Sequence, residues 1–539
     1  MNASKCAVTA SVVVVGMVTI ALLASACAPA ATPTPEVVKE TVVVEVTPHP
    51  EPTPTRVTGA IRGGTITIAV GEDFGGLDSA TVASISGVWL NSLTRSGLVK
   101  VDLHGQLVPE LAESWEHDEQ GTTWVFHLRK GVMFHTGREV VADDVVYSMN
   151  RLMDPDVGSP AKADLESVTR VGRDDDYTVV FELSVPNLDF PYVLQAHYFK
   201  ILPSDQPVED HNKNPIGTGP FILEELVPGE RAVLRRNESY FREGLPYLDE
   251  VVMLVMPETA TQIAGLQSGT IDIAQEIGFD NYQLLEADPR LVAAPSAGVI
   301  QHLIYMDVTQ PPFDDVRVRD AMRYLVDRQG LLDAAYYGQG QASCDTPLPP
   351  GNPYRVEDVG ICKRDIDKAK QLLADAGYAD GIHLELWTLS DRPGFLGVAL
   401  AFQEQAKDAN VNIEVRTVPG GLFWAEKWLT VAMGVSNWGW LPTADTRMRS
   451  EFTCGAPWNE TKFCNKEFDR LLDEALTESN EARRLELYTR AQEILATEGG
   501  MIIPFYYPRL AAHRYNVMNF NADIQNAHDL SEVWLAPEE

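Results

Sequence analysis

The sequence predicts an α/β protein of two or three domains, and three observations lead there. Its 539 residues are 45% hydrophobic and 22% charged, ordinary globular material long enough for more than one core. Between residues 382 and 415 a strand, a helix and a second strand follow one another, the pattern of a β-α-β unit and hence of a parallel sheet. Elsewhere segments of strand period and helix period mix without an internal repeat.

At the N-terminus Lys5 precedes an apolar run over residues 7–26 that ends in small residues before Cys27. A positive start, an apolar stretch and a small-residue cleavage site read as a lipoprotein export signal, with Cys27 as the lipid-bearing first residue after cleavage. The run also meets the length of about 20 residues that an uncleaved membrane helix needs, and Ala24 stands where the lipoprotein pattern prefers leucine. An uncleaved anchor and plain secretion are therefore the alternatives. Residues 28–56 carry Thr-Pro repeats such as Thr32-Pro33-Thr34-Pro35, and proline favours an extended chain without backbone donors, so this stretch is expected to be a spacer. A strand over residues 41–46 is the alternative there. No later run reaches spanning length.

Within the body, Trp124, Phe126 and Leu128 alternate on one face of a half-buried strand over residues 123–129. Ala142-Asp143-Asp144 offers a cap for a helix whose apolar positions are Val145, Val146, Met149 and Leu152, ended by Asp154-Pro155. Asp365 caps a helix with Ala369, Leu372, Leu373 and Ala376 on its apolar face and Gly377 as its stop. Ile382, Leu384 and Leu386 alternate in a strand, a helix is expected over residues 397–410, and Val411, Ile413 and Val415 form the next strand.

A net charge of −34 excludes nucleic acid as a partner, because phosphate binding needs clustered Lys and Arg. There is no Gly-x-Ser-x-Gly elbow, no His-Glu-x-x-His and no phosphate loop, and the eleven histidines are scattered, His302 and His383 standing singly as packed or surface side chains do. Four cysteines remain beyond Cys6 and Cys27. They fall as two local pairs, Cys344 with Cys362 and Cys454 with Cys464, and outside the cytoplasm an even number reads as disulfides. Nearest neighbours are the expected partners among three possible pairings; a four-cysteine metal site is the rival, without the spacing of a zinc knuckle.

Longer strings carry a resemblance. Residues 107–115 (Leu-Val-Pro-Glu-Leu-Ala-Glu-Ser-Trp), 124–135 (Trp-Val-Phe-His-Leu-Arg-Lys-Gly-Val-Met-Phe-His) and 142–148 (Ala-Asp-Asp-Val-Val-Tyr-Ser) closely resemble the signature of the peptide-, dipeptide- and nickel-binding proteins of ABC importers. Asn214-Pro215-Ile216-Gly217-Thr218-Gly219-Pro220-Phe221, residues 312–321 and the Cys454/Cys464 segment with Phe468-Asp469-Arg470 resemble later landmarks of that family. The glycines and prolines of residues 214–221 suit a turn between domains. The resemblance implies a two-lobed periplasmic-binding-protein-like (Venus flytrap) fold with an extra subdomain inserted in the first lobe. It places a signal at residues 1–26, the lipidated Cys27 and linker at 27–61, lobe I at 62–92, 214–300 and 507–539, the inserted subdomain at 93–213, and lobe II at 301–506, with a hinge near residues 300 and 507.

The function so implied is a non-enzymatic one. A monomeric lipoprotein, lipid-anchored on the outer face of the cytoplasmic membrane, captures a small solute, foremost a peptide, and presents it to the permease subunits of an ABC importer. A receptor of the same fold for a sugar, siderophore or nickel chelate is the alternative and a secreted enzyme the remote one; no cofactor and no resident metal are implied. Arg392, in Trp387-Thr388-Leu389-Ser390-Asp391-Arg392-Pro393, matches the family's arginine for the peptide carboxylate, one residue early, and Asp391 beside it offers a competing surface pair. In the loop Asn437-Trp438-Gly439-Trp440-Leu441-Pro442-Thr443-Ala444-Asp445, Trp438 and Trp440 are candidate cleft walls. Asp445 is the candidate for the ammonium anchor, although it fits neither register of the family's pattern. Tyr305 is a cleft candidate by position in the family, and Phe423, Trp424 and Trp428 are expected to pack.

Overall fold

The computed structural model describes residues 44–46, 59–525 and 527–537, and three sheets organise them. The signal run, Cys27 and most of the Thr-Pro stretch lie outside these residues. Among the described residues no helix is long and apolar enough to cross a membrane.

The first sheet has seven strands in the order Leu291–Pro295, Leu510–Arg514, Ile273–Ala274, Thr65–Val70, Glu250–Val255, Arg231–Arg236 and Phe221–Val227. Thr65–Val70 runs parallel to both Glu250–Val255 and Ile273–Ala274, and Ile66, Ile68 and Val70 on it are fully buried. The second sheet is antiparallel and belongs to the inserted subdomain, with Thr123–Leu128 at its centre. There Trp124, Phe126 and Leu128 are buried and alternate with half-buried residues, as the period of two requires. Val44–Val46 pairs antiparallel with Ala112–His117, so this piece of the expected spacer is an edge strand. An exposed sheet edge with unpaired backbone groups accepts such a β-branched segment, which needs no core of its own.

The third sheet, of six strands, is ordered Gln341–Ala342, Met501–Tyr507, Ile300–Met306, Met433–Trp438, Ile382–Leu389 and Val411–Val418. It is covered on both faces. Ile300, Ile304 and Met306 point into a core with the helices Val316–Leu325 and Pro393–Ala406, whereas Leu303 and Tyr305 point to Ala444–Phe452, Lys466–Thr477 and Glu481–Glu498. The β-α-β unit is present: Ile382–Leu389 and Val411–Val418 pair in parallel around the helix Pro393–Ala406. That helix begins four residues before the expected start, because Pro393 at its first position is pre-set for helix and needs no backbone donor. Asp365 caps the helix Ile366–Asp375 through Lys368 N–H at 2.9 Å, as expected, and Gly377 follows with φ +96°. The helix Ala142–Met153 is held at its start by Asp144, whose carboxylate reaches back to Val141 N–H at 3.0 Å.

Two short crossovers join the first and third sheets, at residues 296–299 and 508–509. Ser296 N–H donates to Arg509 O at 2.9 Å and Arg509 N–H to Ser296 Oγ at 3.0 Å, so the crossovers are tied to each other. The inserted subdomain leaves and rejoins the first lobe at one point. Gly217 and Gly219 pass against the end of the helix Ile85–Thr94, where a side chain on Gly217 would overlap the Thr94 carbonyl and one on Gly219 would lie 2.5 Å from Leu93 O. Close approach, not positive φ, is why glycine stands there. Both disulfides pair nearest neighbours, Cys344–Cys362 and Cys454–Cys464.

Candidate ligand-binding cleft

Arg392 is the N-cap residue of the helix Pro393–Ala406, placed there by the strand Ile382–Leu389 that feeds it. Its side chain is exposed, lies over the Phe395 ring at 6.0 Å, and forms no ion pair among the described residues. Asp391 does not compete for it: both its carboxylate oxygens accept from Gly420 N–H at 3.0 Å. An uncompensated guanidinium at a helix N-terminus is an anion site, because the first backbone N–H groups and the helix dipole favour negative charge beside it. The Arg392 charge is felt by the Tyr336 and Tyr507 hydroxyls. Those rings stack at 4.1 Å, and Tyr507 OH accepts from Asn437 Nδ2 at 2.8 Å. Arg392, Tyr336, Tyr507 and Asn437 therefore form one wall at the edge of the second lobe, beside the crossover after Tyr507.

Trp438 ends the strand Met433–Trp438, and Trp440 follows it out of the sheet. The Trp440 indole lies on Gly105, in the hairpin between Val99–Val101 and Leu107–Pro109, where a Cβ would come 3.1 Å from its Nε1. This contact spans the two lobes, as does Phe279 on Tyr336 with ring centres 5.5 Å apart. Trp438 is half-buried between Trp428 and Trp458, at 6.4 and 5.7 Å. Phe423 is buried, and Trp424 and Trp428 pack partly buried beside it.

Two candidates sit elsewhere than expected. Tyr305 is fully buried in the core of the second lobe against Gly434, its hydroxyl without a partner among the described residues, so it lines no cleft. The strand Ile300–Met306 alternates faces, and Tyr305 falls on the one covered by helices. Asp445 is 7% exposed in the first turn of the helix Ala444–Phe452 and is held one turn on by Arg449, at 2.9 and 3.0 Å. Burial raises its carboxyl despite that pull.

The loop carrying Trp438 and Trp440 rests on buried charges that the linear pattern does not announce. Arg447, fully buried, donates to Gly439 O and pairs with Glu451 at 2.5 Å. Glu460, also buried, accepts from Trp428 Nε1, from Ser436 Oγ at 2.9 Å and from Trp438 Nε1 at 3.5 Å. Burial pushes Glu451 up to about 7 and Glu460 up to about 8. A helical i,i+4 Arg447/Glu451 pair is a sequence signal, but nothing local says that it faces inward. His302 lies buried among Tyr336, Phe395, Phe505 and Tyr507 with both nitrogens unpartnered among the described residues, and burial takes it down to about 3.

A cavity of about 310 Å³ lies outside this cleft, lined by residues such as Lys100, Tyr240, Arg242 and Asp529, with none from the second lobe. Metal-ligand side chains converge at Cys344, Asp358 and Cys362, where the disulfide leaves no thiolate.

Comparison with known proteins agrees with this architecture. The profile of the bacterial extracellular solute-binding proteins, family 5 Middle, matches residues 106–459. Heme-binding protein A of Haemophilus influenzae is 30% identical over 432 residues, 73% of this chain and 78% of that protein. Di/tripeptide-binding protein 1 of Pseudomonas aeruginosa is 28% identical over 424 residues, 72% and 79% of the two chains. The structure of HbpA2 from Haemophilus parasuis superposes with a TM-score of 0.79 at 23% identity, over 88% of this chain and all of that one, and shares its two-lobed fold. On its sequence and its two-lobed fold, this chain belongs to the bacterial extracellular solute-binding proteins of family 5.

Proposed function

We propose that the protein captures a carboxylate-bearing solute, foremost a peptide, between its lobes and delivers it to the membrane permease of an ABC importer. Arg392 carries the reading. It is the one charge of the Tyr336, Tyr507 and Asn437 wall left without a counter-ion among the described residues, and its fork matches a carboxylate bidentately. Trp440, reaching the opposite lobe at Gly105, supplies an aromatic surface on which side chains of varied shape stack. A solute touching both walls stabilises the closed form, and the permease reads closure, so binding and delivery need no covalent step. Lipid on Cys27 and the proline-rich spacer would hold the body at the outer face of the cytoplasmic membrane. The relative named for di- and tripeptides supports the peptide reading.

A second reading, a non-peptide solute such as a sugar, siderophore or metal chelate, is favoured by Asp445. With that carboxylate held by Arg449, the acid expected to meet a peptide ammonium is not available. Native mass spectrometry of the protein purified from rich medium separates the two. A ladder of short-peptide masses that vanishes in Arg392→Ala supports the peptide; a single non-peptide mass overturns it in favour of the second reading.

A further inference from the structure

The inserted subdomain meets the second lobe through an ion pair. Asp189 and Arg484 Nη2 are 2.7 Å apart, with side chains only 15% and 9% exposed, and beside them Leu188 N–H points to Leu476 O at 3.5 Å. Each partner is held rigidly by its own body. On the subdomain side the buried Trp124 donates to Asn187 O at 3.1 Å, Asn187 N–H donates to Gly121 O at 3.0 Å, and Asn187 Oδ1 accepts from Asp189 N–H at 2.9 Å. On the lobe II side Arg484 rises from the first turns of the helix Glu481–Glu498 between the rings of Tyr354 and Tyr488, at 5.4 and 5.7 Å.

We propose that Asp189 and Arg484 are positioning residues for solute binding: a latch, made only when the lobes are closed, that sets how long a captured solute stays. The proposal rests on the cleft being the solute site. Rigid presentation on both sides means that little side-chain freedom is lost when the pair forms, unlike an ordinary surface salt bridge. Opening returns both charges to water, so the latch adds modestly to overall stability and acts mainly on the escape rate. Asp445 is taken by its own Arg449, at 2.9 and 3.0 Å, so Asp189 and Arg484 are each other's direct partners at this seam and loss of either breaks the same contact.

The test uses the full chain with its co-purified solute, following loss of the bound mass by native mass spectrometry after dilution, with small-angle scattering in parallel. Release is expected about tenfold faster in Arg484→Gln and in Asp189→Asn, no faster in the double variant than in either single, and near wild type in Arg484→Lys. Release rates within about twofold of wild type throughout, or a double variant whose effect is the product of the singles, overturns the latch. Scattering separates this from a failure of the solute reading. If no bound mass is found in any variant, the solute reading is at fault, and a larger radius of gyration in Arg484→Gln still supports the latch; identical radii in all variants overturn it.

Discussion

Among the described residues Arg392 has no ion-pair partner, and Asp391, its neighbour in sequence, is used by Gly420. Arg392→Ala is expected to weaken binding of a carboxylate solute by about 100-fold, and Arg392→Lys by less, since the ammonium keeps the charge but loses the fork. Isothermal titration of both variants checks this; equal affinity in wild type and Arg392→Ala refutes the anchor. Glu451 and Glu460 make a different prediction. Both titrate higher in the folded protein, about 7 and about 8, than the ordinary 4.5 of an unfolded chain. The unfolded chain therefore releases these protons first, and the contribution of these two carboxyls to stability is greatest below pH 4.5 and is lost as pH rises through about 7 and about 8. Glu460→Gln should remove much of that loss, standing on the order of 2 kcal/mol above wild type near pH 9 and not above it near pH 4.5. Thermal unfolding across that range decides, and parallel curves for the two proteins would contradict it.

Among the elements, the Trp438-Gly439-Trp440 segment is positioned from below. Arg447 binds Gly439 O while neutralising Glu451, so Arg447→Met both frees the loop and strands a buried carboxylate. The expected destabilisation is about 3–5 kcal/mol, with Glu451→Gln added to Arg447→Met recovering a large part of it, as chemical denaturation of single and double variants would show. No recovery would mean that loop packing, not the stranded charge, sets the cost. Gly217→Ala tests the junction where the inserted subdomain leaves and rejoins: its methyl meets the Thr94 carbonyl, and the soluble yield is expected to collapse. A well-folded Gly217→Ala protein would show that the junction can part.

For the whole molecule, closure is distributed. The lobes are joined by two crossovers tied through Ser296 and Arg509, and they touch at Gly105 with Trp440, at Phe279 with Tyr336 and at Asp189 with Arg484. The lobes thus meet at several points round one pair of tied crossovers, an arrangement suited to hinge closure. The Cys454–Cys464 disulfide closes the loop that carries Trp458 and Glu460, so its removal acts on the indole wall as well as on the unfolded chain. Cys454→Ser with Cys464→Ser is expected to lose about 2–4 kcal/mol and to weaken solute binding, measured by denaturation and titration; unchanged affinity would separate the disulfide from the cleft.

Local periodicity by itself determined the strand of Trp124, Phe126 and Leu128, the β-α-β unit and the cap at Asp365, since these depend on neighbours a few residues away. Long ordered strings such as residues 124–135 determined the family and with it the two-lobed fold. What a side chain faces was decided only in three dimensions. Tyr305 and Asp445 look available in the sequence, yet one lies on the helix-covered side of its strand and the other is taken by an arginine one turn away. Arg447, Glu460, Asp189 and Arg484 look like ordinary surface charges, and tertiary packing buries all but Asp189, which it half-buries, where desolvation makes each pairing matter. A charge's role depends on which distant residues exclude water from it, and that is set by the closure of the sheets and lobes, not by spacing along the chain.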